Sequence, residues 1–534
     1  MKRLILISLI IFYPVVIMPQ QQQHIPWPSL ADSPWPNSRG DAQATGRSKF
    51  VGPRTPNVHW RKDMPLGILN GPVIGYNNEL FVGTRAANTS GAGVNYFYSL
   101  DKNGNSIWTY NTHGWRANIA GPTIGNDGTI YFYSLGSGAG DSGGLYALNP
   151  DGTLKWNNTK FIVIGSTRFV PIAKNFNLII AYFDTLYFVE PQNGLILDSV
   201  QVPYLGDNIV FSTDGDTIYF FTGRLGTQDP KKLNAYSVKG EHLWSVDFHL
   251  GSHNYGVPLV DNSNRIYIYA SEPGIRGLYC FNPDGTLNWN YQFQFDDNEV
   301  YENYSSPTID ANGNIILSSA KFFEPTFSDS GYITSLDYYG NLNWQTNIGH
   351  YWDDGAFINS GLECDAEGKI YCGSSLGTNT NFWCLDSNGT ILWKLDLEGY
   401  EYDTSPAINS EGTLYIGTHI ASLYQEHQRN LIAVNDNPVS VEDDYKEMTF
   451  RLYQNFPNPF NPETHIDFML MESSNVRLTV FNVLGQEIKT LVNEEMIPGY
   501  YSRIFDGRDL PSGIYFYELV TDKVSITKKM ILLR

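Results

Sequence analysis

The phrase Asn149-Pro-Asp-Gly-Thr-Leu-Lys-Trp156 returns nearly letter for letter as Asn282-Pro-Asp-Gly-Thr-Leu-Asn-Trp289, and each copy closes a longer unit that recurs along most of the chain. Repetition about every 40 to 55 residues constrains the fold more than any other feature, because each unit must bury its apolar face against its neighbours. The unit opens with a Pro-containing strand, turns at Asn/Asp-Gly, and continues as an aromatic and aliphatic strand. After a variable loop comes a third strand ending in Leu-Asp or Leu-Asn. A second Gly turn and a short strand ending in Trp complete it.

The first full copy runs from Gly71-Pro-Val-Ile to Trp108 and the second from Gly121-Pro-Thr-Ile to Trp156. The third is degenerate, from Val170-Pro-Ile to about Asp198, where Trp is expected. The next four end at Trp244, Trp289, Trp344 and Trp393. The last begins at Ser405-Pro-Ala-Ile, reaches Leu431-Ile-Ala-Val-Asn435 and stops without its Trp strand. Val58-His-Trp60, ahead of the first copy, has the form of that missing strand. The pattern predicts an all-β fold: an approximately eight-bladed β-propeller whose N-terminal strand closes the last blade. Such closure leaves no open seam in the ring. The Gly turns serve tight hairpins that need positive φ, and the Trp series serves blade-to-blade packing. Asp310-Ala-Asn-Gly-Asn314 lacks the spaced Glu of a calcium loop and reads as one more hairpin turn.

Composition agrees with this class: aromatics make up 14% of the chain, Gly numbers 49 and charged residues only 17%. Acids outnumber bases 55 to 35, giving a net charge of −20, which excludes nucleic-acid and anionic-membrane partners. Met1-Lys2-Arg3, an apolar run to Met18 and the polar exit Gln20 to Gln23 form an export signal over residues 1–23. No later segment is apolar enough for a membrane span. Cys280, Cys364, Cys372 and Cys384 fall in apolar strand slots and read as buried free thiols. A Cys372–Cys384 bridge stays open as the alternative. In the lead-in, residues 24–56, Arg39-Gly40-Asp41 invites an adhesion reading, but a chance match in a turn-rich segment is preferred.

Pro-x-Ile-x-x-(Asn/Asp)-Gly-x-Ile-Tyr followed by Leu-Tyr-Ala-Leu-Asn-Pro-Asp-Gly-x-x-x-Trp resembles the PQQ-like β-propeller repeat, over roughly residues 32 to 437. Trp35-Pro through Gly46-Arg-Ser is similar to the segment that commonly precedes such propellers in secreted bacterial proteins. The resemblance implies the propeller and not the quinone.

Past residues 57–437 the periodicity ends, and 438–450 reads as a charged linker. Residues 451–534 hold short alternating strands with Gly and Pro turns, which predict a small Ig-like β-sandwich. Asn455-Phe-Pro-Asn-Pro-Phe-Asn-Pro462, Asn482-Val-Leu-Gly-Gln486, Leu510-Pro-Ser-Gly-Ile-Tyr-Phe-Tyr517 and Lys528-Lys-Met-Ile-Leu-Leu-Arg534 resemble the C-terminal sorting domain of the type IX (Por) secretion system. This implies export to the outer-membrane surface or the medium, with the type IX machinery as partner. Nine Lys/Arg against ten Asp/Glu in 451–534 leave −19 of the −20 on the rest of the chain.

In a blade the first-to-second and third-to-fourth turns share one face, and here those are uniformly tight. The other face carries loops of varied length, such as Arg85 to Asn95 and His419 to Asn430, where binding is expected. The crossovers on that face carry His113, Trp115, Arg116, His249, His253, Tyr255, Asp296, Asp297, Tyr304, Tyr351, Trp352, Asp353, Asp354, Tyr402 and Asp403. Aromatic rings beside carboxylates suit a sugar or a cation, against the plainer reading that crossover loops are polar and their aromatics cap the core. His249 and His253 have the spacing of a metal pair on a helix, which this crossover does not resemble. The preferred expectation is a non-catalytic surface propeller that binds a protein or glycan and uses no cofactor. The alternatives are a dehydrogenase dependent on PQQ and Ca, or a carbohydrate-active enzyme using pairs such as Asp353/Asp354.

Overall fold

The computed structural model describes residues 20–533 except 65–66, 69–70, 86–93, 116–118, 135–142, 162–168, 203–204, 206–207, 223–231, 248–256, 271–276, 294–298, 303–304, 324–329, 351–357, 359–360, 374–380, 398–404, 419–429, 438–449, 453–454, 456–457, 471–472, 498 and 523–524. The chain divides into two compact units, Met1–Val439 and Ser440–Arg534.

Among the described residues the first unit contains eight antiparallel sheets that follow one another along the chain. The Val58–Asp63 strand is the outer strand of the last sheet, pairing with Asn430–Val434 so that Trp60 faces Ala433. The innermost strand of the first blade, Val73–Ile74, packs beside both Ile119–Ile124 and Ala407–Ile408, the innermost strands of the second and eighth. The sheets therefore close into a β-propeller.

One local rule builds each blade junction. The outer strand carries a β-bulge beside its Trp, and the residue opposite the ring is small: Ser99, Ala147, Ala235, Cys280, Ser335, Cys384 or Ala433. The indole then leans on the next blade, where its Nε1–H donates to a turn carbonyl; Trp393 alone among these donates instead to Pro53 of the lead-in, at 3.4 Å. Trp108 donates to Pro150 at 3.0 Å, Trp244 to Pro283 at 2.9 Å and Trp344 to Ser387 at 2.9 Å. The Gly of that same turn lies over the ring. A Cβ on Gly152 (φ +84°) would come within 2.5 Å of Trp108. That glycine is required twice, for its positive φ and for the ring beneath it.

The cysteines obey this rule. Cys280 and Cys384 are small residues opposite a Trp, and all four cysteines are buried and free. Tyr371 pairs with Cys384 and Cys372 with Trp383, so Cys372 and Cys384 project from opposite faces of their sheet, where no bond can join them. Burial pushes the thiols of Cys280 and Cys384 up to about 12.

The third blade breaks the rule and compensates. Its inner strand is reduced to the bridge of Ile172 with Leu178. Asp198 occupies the Trp slot opposite Phe188, a large residue where the other blades have a small one. A Cβ on Gly240 of the fourth blade would meet Val200 at 2.4 Å and Phe188 at 3.4 Å, so these two fill the space of the absent indole. A second departure is in the first turn of the same blade. At this position seven blades have Asn78, Gly128, Gly215, Asn264, Gly313, Gly368 and Gly412, all at positive φ. The third has Phe176 at φ +75°, with 41% of its surface exposed. Left-handed backbone costs a residue with a Cβ about 1–2 kcal/mol.

The second unit is two antiparallel sheets around one core. Phe450–Leu452, Glu463–Leu470 and Gly499–Asp506 form one; Glu487–Met496, Ser474–Asn482, Gly513–Val520 and Ser525–Leu532 form the other. Ile466, Phe468, Leu478, Val480, Tyr517, Leu519 and Met530 are all fully buried in that core. The Tyr517 hydroxyl accepts from the backbone N–H of Asn455, which ties Asn455 to the sandwich.

Candidate functional site

A ring of sheets leaves each innermost strand with one edge facing the channel, and buried backbone N–H groups there need acceptors. The lead-in supplies them. From Gln20 onward it crosses the tight-turn mouth of the ring as a strap, outside regular strands. Carbonyls of Trp35, Pro36, Ala42, Gln43, Thr45 and Gly46 accept from the N–H groups of Ile74, Ile124, Phe211, Val260, Ile309 and Cys364, at 2.8 to 3.3 Å. These belong to six different blades. The indole of Trp27 donates to the Ile172 carbonyl of the third blade at 2.8 Å, and Asp436 at the end of the eighth accepts from the Arg54 N–H at 2.6 Å. Gln22 donates its N–H to the Ala311 carbonyl at 2.8 Å, so the strap engages the sixth blade from within the Gln20–Gln23 run.

Arg39 and Glu363 form an ion pair at 3.3 Å whose side chains are 0% and 1% exposed. The guanidinium also donates to the carbonyls of Leu362 at 3.1 Å and Pro307 at 2.7 Å. This settles Arg39-Gly40-Asp41 as structure: its arginine is sealed inside the fold, and the Asp41 carboxylate accepts from Thr45 N–H at 2.9 Å within the strap.

The long-loop mouth lies at the other end of the blades. Of the expected candidates, His113 and Trp115 fall at the C-terminal end of the Ser106–Trp115 strand, where Trp115 pairs with Val94 beside a variable loop. Arg116, His249, His253, Tyr255, Asp296, Asp297, Tyr304, Tyr351, Trp352, Asp353, Asp354, Tyr402 and Asp403 lie outside the described residues. No group of three or more His, Cys, Asp or Glu among the described residues converges as a metal site.

The described surface holds a concavity that the sequence did not signal, on the tight-turn face between the second and third blades. Its cavity of about 290 Å³ is lined by Ser29 of the strap, Gly125–Asp127, Tyr131, Ile172, Asn175–Asn177, Glu190–Gln192 and Leu197. Burial works against the ionised form of the Asp127 carboxyl. Hydrogen bonds from Thr129 and Lys155 outweigh it and hold the group below the usual carboxylate range. The Lys155 ammonium is 3.1 Å away. Glu190 accepts from the Asn193 amide at 2.7 Å.

Residues 454–533 match the family model of the secretion system C-terminal sorting domain. No curated protein matches the chain. Among solved structures, the chain is similar to BamB from Moraxella catarrhalis, at 13% identity over 71% of this chain and 99% of that one, with a TM-score of 0.47. It is also similar to hydrazine synthase of Kuenenia stuttgartiensis (12% identity, 71% and 98% covered, TM-score 0.41). A third is the V. cholerae biofilm matrix protein Bap1 (11% identity, 74% and 91% covered, TM-score 0.41). The sorting domain marks the chain for type IX export to the cell surface or the extracellular space.

Proposed function

We propose that this exported propeller is a non-catalytic binding module that engages a surface protein or glycan through its long-loop face. The observation that supports the reading is the strap: its carbonyls take the inner-strand N–H groups of six blades at the tight-turn end, which leaves the long-loop end as the one free of that segment. The loops at that end differ from blade to blade in length and sequence, as recognition loops on a rigid scaffold do. Their aromatic and acidic residues, among them His253, Tyr351, Trp352, Asp353, Tyr402 and Asp403, are the proposed contacts.

The test uses the first unit from Gln20 to Val439. On a glycan array and in pull-downs from the surface fraction of the source cells, a ligand is retained, and Trp352→Ala with Tyr402→Ala weakens it. Absence of any retained ligand on the wild type refutes the reading. Dye-linked alcohol oxidation that appears on adding PQQ and Ca²⁺ refutes its non-catalytic part.

A further inference from the structure

We propose that the concavity between the second and third blades, on the face opposite the long loops, is a binding site for a neutral pyranose unit of an oligosaccharide. Phe176 stands apart from its seven counterparts. In the other seven blades this turn position holds Gly or Asn, the residues that accept its positive φ at least cost. The third blade instead accepts a strained backbone and places Phe176, 41% exposed, at the edge of the cavity. An exposed ring held at a conformational cost on a cavity wall points to something that packs on it.

The other walls define that occupant. Leu197, 54% exposed, adds a second apolar surface beside Phe176. Asp127, Glu190, Asn177 and Gln192 line the rest of the cavity and make it polar on those sides. A ligand that fits has a flat apolar face and a rim of hydroxyls, which describes a pyranose ring. Lys155 pairs with Asp127, whereas the partner of Glu190 is the neutral amide of Asn193. The pocket keeps net negative charge on a chain of net −20, which disfavours uronic acids and sulfated sugars. Ser29 contributes one wall, so the site is complete only with the strap docked. This site is independent of the long-loop reading, since its residues lie at the opposite end of the blades.

The experiment titrates the full chain from Gln20 by calorimetry with neutral hexamers (β-1,3- and β-1,4-linked glucose, β-1,4-linked mannose, α-1,4-linked glucose) and with a galacturonate hexamer. Phe176→Asn keeps a residue that two sibling turns use at this φ, and Asp127→Asn keeps the turn-capping oxygen. At least one neutral hexamer binds. Phe176→Asn and Asp127→Asn each weaken it about tenfold or more without lowering the thermal midpoint, and the galacturonate hexamer gives no heat. The proposal is overturned if no neutral hexamer binds, if both variants bind as the wild type does, or if galacturonate binds as well as a neutral hexamer. Wild-type affinity in both variants, combined with loss on Trp352→Ala, moves the sugar to the long-loop face and leaves that reading standing.

Discussion

Gly368 and Gly389 occupy two turns of the seventh blade at nearly the same φ, +82° and +84°. A Cβ on Gly368 makes ordinary contacts, with Ser387 at 3.4 Å and Asp310 at 3.9 Å, whereas one on Gly389 falls 2.5 Å from the Trp344 ring. Gly368→Ala should therefore cost only the left-handed strain, about 1–2 kcal/mol. Gly389→Ala should cost roughly 1–3 kcal/mol more, because the indole must shift. Denaturant unfolding of the two variants side by side checks this, and equal losses would show that the ring yields freely. Arg39 makes a different kind of contribution. Its removal leaves Glu363 charged and enclosed, so Arg39→Ala should destabilise by about 3–5 kcal/mol, while Arg39→Met with Glu363→Leu should recover most of that. If the double replacement is as unstable as the single one, the guanidinium's bonds to the Leu362 and Pro307 carbonyls matter more than the ion pair.

At the scale of elements, the third blade shows how a repeat tolerates the loss of its anchor. Asp198→Trp alone restores the sequence pattern but places an indole where Phe188 and Val200 already fill the space. It should destabilise by about 1–3 kcal/mol, and adding Phe188→Ala should reverse much of the loss. Thermal midpoints of the two variants decide it; a gain from Asp198→Trp alone would mean the slot is empty. The absent Trp was legible in the sequence. Its replacement was not, because Phe188 and Asp198 meet only through the cross-strand register. The closing Val58–Asp63 strand was legible because it repeats a form seen elsewhere in the chain. The strap was not, since a segment that offers single carbonyls to six blades has neither period 2 nor period 3.6. The expected contacts on the long-loop face were named from sequence and, beyond the backbone of His113 and Trp115, lie outside the described residues. The cavity beside Phe176 joins three segments distant in sequence, which no local pattern could announce.

For the whole molecule, the sorting domain carries the address for export and the propeller is the unit it exports. A chain ending at Val439 should fold its propeller yet accumulate in the periplasm, read by fractionation and proteinase accessibility of whole cells. Normal surface display of that truncation would show that the address lies elsewhere. The strap adds a consequence in time. Its residues are synthesised before any blade, yet Arg39 bonds Leu362 from 323 positions away and Arg54 bonds Asp436 from 382. Separations of this order slow folding far more than they weaken the folded state. A segment made before any blade is thus among the last able to settle, and it has no full set of partners until the eighth blade exists. A chain interrupted in any blade keeps open strand edges, which chaperones and proteases recognise. Docking of the strap reports that the ring has been made to full length.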